Sequence, residues 1–290
     1  MKDDAAIKEL VKEKYSAIAT QSTDQNLSSC CGATSSCCNI DPSGNAVYNI
    51  MSDDYTKVEG YQPEGDLGLG CGLPTEFAKI KEGDTVVDLG SGAGNDCFIA
   101  RRLAGKAGKV IGIDFTPAMI KRATENTLKL GFNNVEFRQG DIEDMPLTAN
   151  LADVVVSNCV LNLVPNKHKV FSEIYRVLKP GGHFSISDIV LEGEMPPAWK
   201  EVAELYAGCV SGAIQKNAYL GIIEEAGFVR MTIQKDKPII IPDEILRNYV
   251  SEQEIQEYRK GRMKITSLTV FAEKPAKDER NCCEPGSVCC

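Results

Sequence analysis

Three cysteines lie far apart in this chain, and each is set in a short segment rich in small or polar residues. They are Cys71 in GLGCGLP, Cys159 in SNCVLN and Cys209 in AGCVSGA. Thiolates are soft ligands, and they select soft, thiophilic elements. If the fold brings these three thiols together, they make a site for a thiophilic metal or metalloid.

The elements that must position these thiols alternate between apolar strands and helices. Strands are predicted at residues 85–89, 110–114, 135–138, 153–157 and 183–189, and helices at residues 96–104, 117–130 and 167–178. Continuous apolar strands that alternate with helices indicate a parallel sheet covered on both faces. We therefore predict an α/β, Rossmann-like sheet, which binds ligands at the carboxyl ends of its strands. Cys159 follows the fourth strand and so lies at that edge.

Four regions are predicted along the chain. They are an N-terminal helix and cysteine-rich arm (1–74), the Rossmann-like domain (75–191), a smaller α+β domain that covers the substrate (192–275) and a flexible cysteine-rich tail (276–290). In the third region, Cys209 lies on a helix that opens at Pro196-Pro197. Two late strands, at residues 231–241 and 264–274, could pair antiparallel.

Composition narrows the classes of partner. The chain of 290 residues carries a net charge of -9, which argues against a nucleic-acid partner because a phosphate backbone needs a basic patch. No apolar run approaches the roughly 18 residues of a membrane span. The polar, acidic start is unlike a signal peptide, so we predict a cytoplasmic protein with no membrane partner.

The chain holds twelve cysteines but only two histidines, His168 and His183, which are most simply a surface residue and a strand residue. Structural disulfides are rare in a reducing compartment, so metal binding or redox chemistry is the better interpretation. Several cysteines are adjacent pairs, a poor fit to structural zinc ligands but able to bind one thiophilic ion or to exchange disulfides. The pairs are Cys30-Cys31, Cys37-Cys38, Cys282-Cys283 and Cys289-Cys290.

A glycine-rich turn follows the first predicted strand. Asp88 precedes glycines at positions 90, 92 and 94, and Asp114 ends the next strand. Glycines there let the backbone turn tightly and approach a ligand, and an acid at the end of the second strand can bond ribose hydroxyls. This DxGxGxG spacing, together with Asp114 and the Gly-Asp-Ile after the third strand, resembles class I S-adenosylmethionine methyltransferases. The alternative is a glycine turn in an α/β unit that binds no cofactor.

That resemblance implies S-adenosylmethionine as cofactor and gives a role to each matching residue. Asp88 opens the motif, and Gly90, Gly92 and Gly94 would admit the methionine part of the cofactor. Asp114 would bind both ribose hydroxyls, Asp141 and Ile142 would flank the adenine, and Asn158 would lie near the amino group. Met119 would pack on the adenine or ribose, although a core methionine is about as well supported.

The cysteine segments, taken with the cofactor motifs, resemble arsenite methyltransferases of the microbial type over roughly residues 5–274. The resemblance implies that Cys71, Cys159 and Cys209 hold trivalent arsenic, from arsenite and methylated arsenicals presented as thiol conjugates. It also implies that arsenic is reduced by closure of a protein disulfide. Cys30 and Cys31 are the candidate source of the extra thiol, and thioredoxin or glutathione would regenerate the enzyme.

Other interpretations stay open. A quinone or small-molecule C- or O-methyltransferase shares the cofactor motifs, and a thiol-rich metalloid-binding protein would explain the terminal cysteine pairs. Cys97 is more simply a small buried residue. Leu69 and Gly208 depart from the eukaryotic members, so the number of methyl groups added is open.

Overall fold

The computed structural model describes residues 4–20, 54–194, 212–240, 243–247, 250–261 and 263–277. The helices are α1 (Asp4–Thr20), α2 (Pro74–Phe77), α3 (Asn95–Ala104), α4 (Pro117–Leu130), α5 (Lys167–Val177), α6 (Lys216–Glu225), α7 (Asp243–Leu246) and α8 (Glu252–Arg259). The strands are β1 (Thr85–Leu89), β2 (Lys109–Asp114), β3 (Val135–Gln139), β4 (Ala152–Asn158), β5 (Leu178–Glu192), β6 (Val229–Ile239) and β7 (Lys264–Glu273). Short 3-10 turns cover Tyr55–Lys57 and Leu161–Leu163.

The described strands form one sheet in the order β3-β2-β1-β4-β5-β7-β6. Strands β1 to β5 are parallel, whereas β7 runs antiparallel between β5 and β6. The connections leave β1 in one direction through β2 and β3 and return to its other side at β4. A crevice for ligands therefore opens at the carboxyl ends of β1 and β4.

The core lies on both faces of this sheet, as expected for buried parallel strands. On one face, Phe171 of α5 packs edge-to-face on Tyr219 of α6 and contacts Phe184 of β5. On the other face, Phe98 of α3 packs against the rings of Phe132 and Phe137. Each such buried side chain contributes about 1.5–3 kcal/mol of hydrophobic stabilisation.

The predicted elements agree with this fold to within a few residues, and the predicted antiparallel pairing of the late strands is present. Those strands continue the main sheet rather than forming a sheet of their own. Strand β5 begins at Leu178, earlier than predicted, because Leu178 already pairs with Ala152 of β4. The Gly181 amide also donates to the carbonyl of Lys274, so this segment ends α5 without leaving the sheet.

Several predicted features lie outside the described residues. They are the cysteine-rich arm with Cys30 and Cys31, the helix that carries Cys209, and the cysteine pairs of the tail. The boundaries of the four predicted regions stay a prediction. Within the described part of the chain, no helix combines the length and the apolar character needed to cross a membrane.

Candidate active site

The glycine-rich turn after β1 has the backbone that its sequence demands. Gly90, Gly92 and Gly94 have φ values of 66°, 53° and 104°, a region that favours glycine. A side chain at Gly90 would overlap Val160, whereas one at Gly92 would meet no atom within 4 Å. Gly94 caps the N-terminus of α3. The turn thus leaves room beside Gly92 and directs the start of α3 towards the strand ends.

A cleft with about 1030 Å³ of empty space opens at this edge of the sheet. It is lined by predicted site residues from the ends of β1, β2 and β4, from the turns after β1, β3 and β4, and from helix α4. They are Asp88, Gly90, Gly92, Asp114, Met119, Asp141, Ile142, Asn158 and Cys159. Gly94 and Cys71 are not among its lining residues, although Gly70 is.

Asp114 is held in place by the glycine turn itself. Its carboxylate accepts hydrogen bonds from the backbone amides of Gly92, at 3.0 Å, and Thr116, at 2.8 Å. Burial raises the pKa of Asp114, although these hydrogen bonds oppose the shift. A carboxylate offers about four acceptor sites, so it retains capacity for two hydroxyl donors. The geometry fits the predicted contact with a ribose.

Two further side chains of the cleft have buried polar atoms with no hydrogen-bond partner among the described residues. They are Ser91 Oγ and Asn95 Oδ1. A buried polar atom without a partner costs about 1–3 kcal/mol, so such atoms in a cleft indicate that a polar ligand completes them. Ribose hydroxyls, an ammonium group and an adenine amine supply the donors that these atoms need. The cleft therefore fits S-adenosylmethionine.

Helix α1 lies over the end of the cleft where Asp141 and Ile142 follow β3. Lys8 Nζ is 2.6 Å from Asp141 Oδ2 and also pairs with Glu143. Burial opposes the charge on Lys8, but the hydrogen bonds with Asp141 and Glu143 outweigh it and raise its pKa. Ile142 and Met119 are both buried, at 5% and 1% exposure, and face the cleft. The predicted adenine end is thus apolar on its inner side and charged at its rim.

Two buried carboxyls that interact with each other, Asp88 and Asp96, also line the cleft. Burial, followed by the nearby charge of Asp96, raises the pKa of Asp88 well above its usual range. Burial also raises the pKa of Asp96, to about 6. The Cys97 thiol donates to Asp88 Oδ2 at 3.2 Å, and its own pKa is raised well above the usual range by burial and by that charge. Cys97 is buried, as predicted, and in addition it orients Asp88.

Asn158 links the cleft to the segment that carries Cys71. Its Oδ1 accepts from the Cys71 amide at 3.0 Å, and its Nδ2 donates to the carbonyl of Gly72 at 2.9 Å and to Asp96 Oδ2 at 3.1 Å. The Tyr55 hydroxyl lies within the same group of hydrogen bonds, next to Asn158 Nδ2. Asn158 thus lines the cleft, and it also fixes the Cys71 turn to the end of β4.

Cys71 and Cys159 are brought into one apolar cluster. They are 0% and 4% exposed and pack in a group that includes Leu163, Ile189 and Ile265. Cys159 has a φ of 60°, uncommon for a residue other than glycine, and its amide donates to the carbonyl of Ser187 at 2.8 Å. That bond continues the pairing of β4 with β5 one residue beyond Asn158. The structure therefore places two of the three predicted arsenic ligands beside the cofactor cleft.

The buried hydroxyl of Tyr219 lies near the thiols of Cys71 and Cys159, and it also interacts with the carboxyl of Asp188. Burial raises the pKa of Tyr219 well above its usual range, and the charges of Asp188, Cys71 and Cys159 add to the shift. Burial raises the pKa of Asp188 to about 7, opposed by the charge of Lys167. Lys167 Nζ donates to the carbonyl of Gly212 at 3.0 Å. This contact anchors the chain three residues after Cys209.

Comparison with known proteins decides which methyltransferases this site resembles. A family model described as a methyltransferase domain matches residues 80–227. An arsenite methyltransferase of Halobacterium salinarum is 38% identical in an alignment of 288 positions that covers 96% of this chain and 69% of that protein. The chain belongs to the arsenite methyltransferase family. Another arsenite methyltransferase, from Aquipseudomonas alcaligenes, is 34% identical over 82% of this chain and 66% of its own length.

A solved structure supports the same family. It is the crystal structure of CrArsM, an arsenic(III) S-adenosylmethionine methyltransferase from Chlamydomonas reinhardtii. It superposes with a TM-score of 0.61 at 33% identity and covers 81% of this chain and 73% of that chain. These matches confirm the predicted arsenite methyltransferase family, the Rossmann-like fold class, the S-adenosylmethionine-dependent methyltransferase activity and the cofactor.

Sequence reasoning assigned no role to Tyr55, Thr75 or Asp96, which form the buried hydrogen bonds beside Cys71. Asp96 carried a usable signal, because a carboxylate in the first turn of a helix after a glycine turn faces the same cleft as the turn. Tyr55 carried none, since it lies 41 positions before Asp96 in a stretch without periodicity.

Proposed function

We propose that this chain methylates trivalent arsenic, as arsenite and methylarsenite, with S-adenosylmethionine, and so serves arsenic detoxification. One observation carries the proposal: Cys159 lines the cofactor cleft and shares a buried apolar cluster with Cys71. A thiophilic atom held by these two thiols lies next to the place where the methyl group is delivered. The alternative C- or O-methyltransferases need no thiol at that point.

When bound, S-adenosylmethionine supplies a methyl group on a positively charged sulfur. The chain's own contribution is to hold that cofactor and to aim the methyl group at the thiol site. Asp114 and Gly92 would hold the ribose side, and Ile142 and Met119 would cover the adenine. Asp96, which accepts hydrogen bonds from Asn158, Tyr55 and Thr75, would attract the cationic methionine portion, and Asp88 lies beside it.

The thiols would take arsenic by exchange. Each As–OH group reacts with a cysteine thiol to form an As–S bond and one water, so the proton of the thiol leaves with the hydroxyl and no separate base is required. This route suits Cys71 and Cys159, because burial in an apolar cluster disfavours a free thiolate. Cys209 would be the third ligand. The lone pair left on arsenic is then the nucleophile, and catalysis is mostly positioning.

Methyl transfer formally oxidises arsenic from As(III) to As(V). Two protein thiolates that close a disulfide release two electrons, which return arsenic to As(III). We infer that Cys30 and Cys31 supply the extra thiol for this step. A dithiol such as thioredoxin, or two molecules of glutathione, would then reduce the disulfide and become oxidised in turn. The cytoplasmic location predicted from the sequence agrees with that supply of reductant.

The test is a product assay on the full chain with arsenite, methyl-labelled S-adenosylmethionine and glutathione or thioredoxin, with arsenic species separated before counting. We expect label in methylated arsenicals. Label found instead in a quinone or small acid added to a parallel reaction would favour the alternative methyltransferase. Arsenite that binds tightly and gains no label would favour a metalloid-binding protein.

A further inference from the structure

The turn that carries Cys71 is joined to the cofactor cleft by a small set of hydrogen bonds that are buried at Tyr55 and partly buried at Asn158. Its members are the Tyr55 hydroxyl, the Asn158 amide, the Asp96 carboxylate and the carbonyl of Gly72. The Tyr55 hydroxyl lies 3.0 Å from Gly72 O and 3.0 Å from Asp96 Oδ2, and Asn158 Nδ2 lies 2.9 Å and 3.1 Å from the same two atoms. Asp96 lines the cleft, whereas Gly72 follows Cys71.

These groups hold fewer donor protons than their contacts require. The hydroxyls of Tyr55 and Thr75 have one proton each and the amide of Asn158 has two, which makes four. They make seven contacts, to the Gly72 carbonyl, to both oxygens of Asp96 and to the Tyr55 oxygen itself, and three of these seven come from the Tyr55 hydroxyl. The Gly72 carbonyl and the Asp96 carboxylate therefore compete for the single proton of Tyr55.

Asp96 also lacks a positive partner. No ion pair formed by a lysine or arginine among the described residues involves Asp96 or Asp88, and the charge of Asp96 is stabilised by hydrogen bonds from Asn158, Tyr55 and Thr75. The methionine end of the cofactor carries an ammonium group, which is a cation with three donor protons. An ammonium that donates to Asp96 releases the Tyr55 proton to the carbonyl of Gly72.

We propose that Tyr55 and Asp96 are positioning residues that couple occupation of the cofactor cleft to the placement of Cys71. Cofactor at Asp96 shifts the Tyr55 proton to Gly72 and tightens the turn, so the thiol site binds arsenic more strongly when the cofactor is present. By linkage, arsenic at Cys71 raises the affinity for the cofactor by the same factor. The inference rests on the proposed function for the identity of the second ligand.

The Cys71 turn has little freedom to adjust in another way. A side chain at Gly70 would meet Asn158 Nδ2, and one at Gly72 would approach Ser187 Oγ. The Cys71 carbonyl accepts from Ser267 Oγ of β7, and its amide donates to Asn158. Among the hydrogen bonds named for this turn, those to the Gly72 carbonyl are therefore the ones that depend on whether the cofactor occupies the cleft.

The experiment measures the binding of arsenite by calorimetry with and without saturating S-adenosylhomocysteine. That compound keeps the ammonium group and has no methyl group to transfer, so no turnover occurs. We expect it to strengthen arsenite binding by about five-fold or more in the natural chain, the lower end of typical coupling between sites. In Tyr55→Phe, which loses only the hydroxyl, the coupling should fall below about two-fold.

Tyr61→Phe is the matched control. Its hydroxyl is 3.0 Å from Asp66 Oδ2, so the same change removes the same kind of bond in the same segment. No hydrogen bond of the described residues connects Tyr61 to Cys71 or Gly72. The control should keep the coupling of the natural chain. Equal coupling in Tyr55→Phe and the natural chain, or no coupling in the natural chain, would overturn the proposal.

Two further readouts keep the test decisive. If Tyr55→Phe fails to fold, Asp96→Asn carries the same measurement, since it keeps the shape and removes the charge that attracts the ammonium. If the natural chain binds no arsenite, the proposed function is wrong, but hydrogen exchange of the Cys71 amide still decides the coupling. S-adenosylhomocysteine should slow that exchange in the natural chain and not in Tyr55→Phe, and equal slowing in both would refute the role of Tyr55.

Discussion

The cofactor cleft and the thiol site meet at Asn158, yet they are built in different ways. The core of the cleft comes from one stretch, Asp88 to Asp114, in which a strand, a glycine turn, a helix and a second strand follow one another. The thiol site joins distant segments: Cys71 bonds to Asn158, 87 positions away, and to Ser267, 196 positions away. A local arrangement survives in any chain that folds this unit, whereas the thiol site needs the whole sheet.

This difference has an energetic side. The cleft presents polar atoms that lack partners and carboxyls whose pKa values burial raises, so it is incomplete without a polar, cationic ligand. The thiols Cys71 and Cys159 instead lie in a largely apolar cluster. The cofactor cleft is suited to bind a charged molecule, and the thiol site is suited to hold a soft atom in largely apolar surroundings. The predictions below test whether the two regions can be separated by mutation.

The largest effect is expected for Cys159→Ser, which replaces a soft sulfur by a hard hydroxyl beside the delivered methyl group. Turnover of arsenite and of monomethylated arsenite should both fall by at least about 100-fold, as for other losses of positioning. Cys209→Ser should behave in the same way. Affinity for S-adenosylhomocysteine, measured by calorimetry, should stay within about two-fold because the cleft is intact. Full activity of Cys159→Ser on arsenite would remove the proposed mechanism.

Cys71→Ser should separate the two substrates. Monomethylated arsenite has two exchangeable positions left, so it needs fewer protein thiols than arsenite does. Cys71→Ser, and Cys30→Ser combined with Cys31→Ser, should therefore lose arsenite turnover while keeping some activity on the monomethylated species. The measurement is a product assay on both substrates with excess glutathione. Equal loss on both substrates for every variant would contradict this division of roles and leave the arsenic site itself in place.

A smaller effect is expected on the cofactor side, at Asp114. Asp114→Ala should weaken binding of S-adenosylmethionine by roughly 1.5–3 kcal/mol, the range for hydrogen bonds to a charged group. Because Asp114 also accepts from the amides of Gly92 and Thr116, Asp114→Asn is the sharper variant: it keeps the size of the side chain. Calorimetry with arsenite should show little change for Asp114→Asn. Unchanged cofactor affinity in both variants would exclude Asp114 from the site.

The same division between local and distant contacts explains which parts of the structure could be predicted from the sequence. The glycine turn, Asp114 and the bounds of α4 were predicted because the signals are local: a glycine pattern, a strand end and a proline at the helix start. The start of β5 was misjudged because Lys179-Pro180-Gly181-Gly182 has the composition of a turn. Its pairing with β4 and Lys274 depends on strands far away in sequence.

The hydrogen bonds around Asp96 were beyond sequence reasoning for a related reason. Asn158 was predicted near the cofactor's amino group, and that prediction is untested. Its bonds to Cys71 and Gly72 arise only when β4 and the segment before α2 meet. Tyr55 has no partner within its own segment that would mark its hydroxyl as functional. The coupling between the two regions is therefore a property of the tertiary structure.

The smallest effect is the contribution of Asp96 to the pH dependence of the free energy of unfolding. The pKa of Asp96 is about 6 in the folded chain, because of burial, against an ordinary value of 3.8. Between these values the folded state binds more protons than the unfolded state, so stability falls as pH rises from about 4 to about 6 and then levels off. The loss is at most about 3 kcal/mol, since one pKa unit corresponds to about 1.4 kcal/mol.

Burial raises the pKa of Asp88 and Asp188 as well, so the natural chain alone cannot assign this loss. The difference in the free energy of unfolding between the natural chain and Asp96→Asn does assign it, because the amide does not titrate while the other carboxyls remain in both proteins. Urea unfolding of both proteins is measured from pH 4 to pH 8 without cofactor. The free energy of unfolding of the natural chain minus that of Asp96→Asn should fall up to about pH 6 and then stay constant. With S-adenosylhomocysteine present, its ammonium favours the charged form of Asp96, so the dependence should weaken. Parallel curves without cofactor would mean that the pKa of Asp96 is the same in the folded and the unfolded chain, so that burial does not raise it.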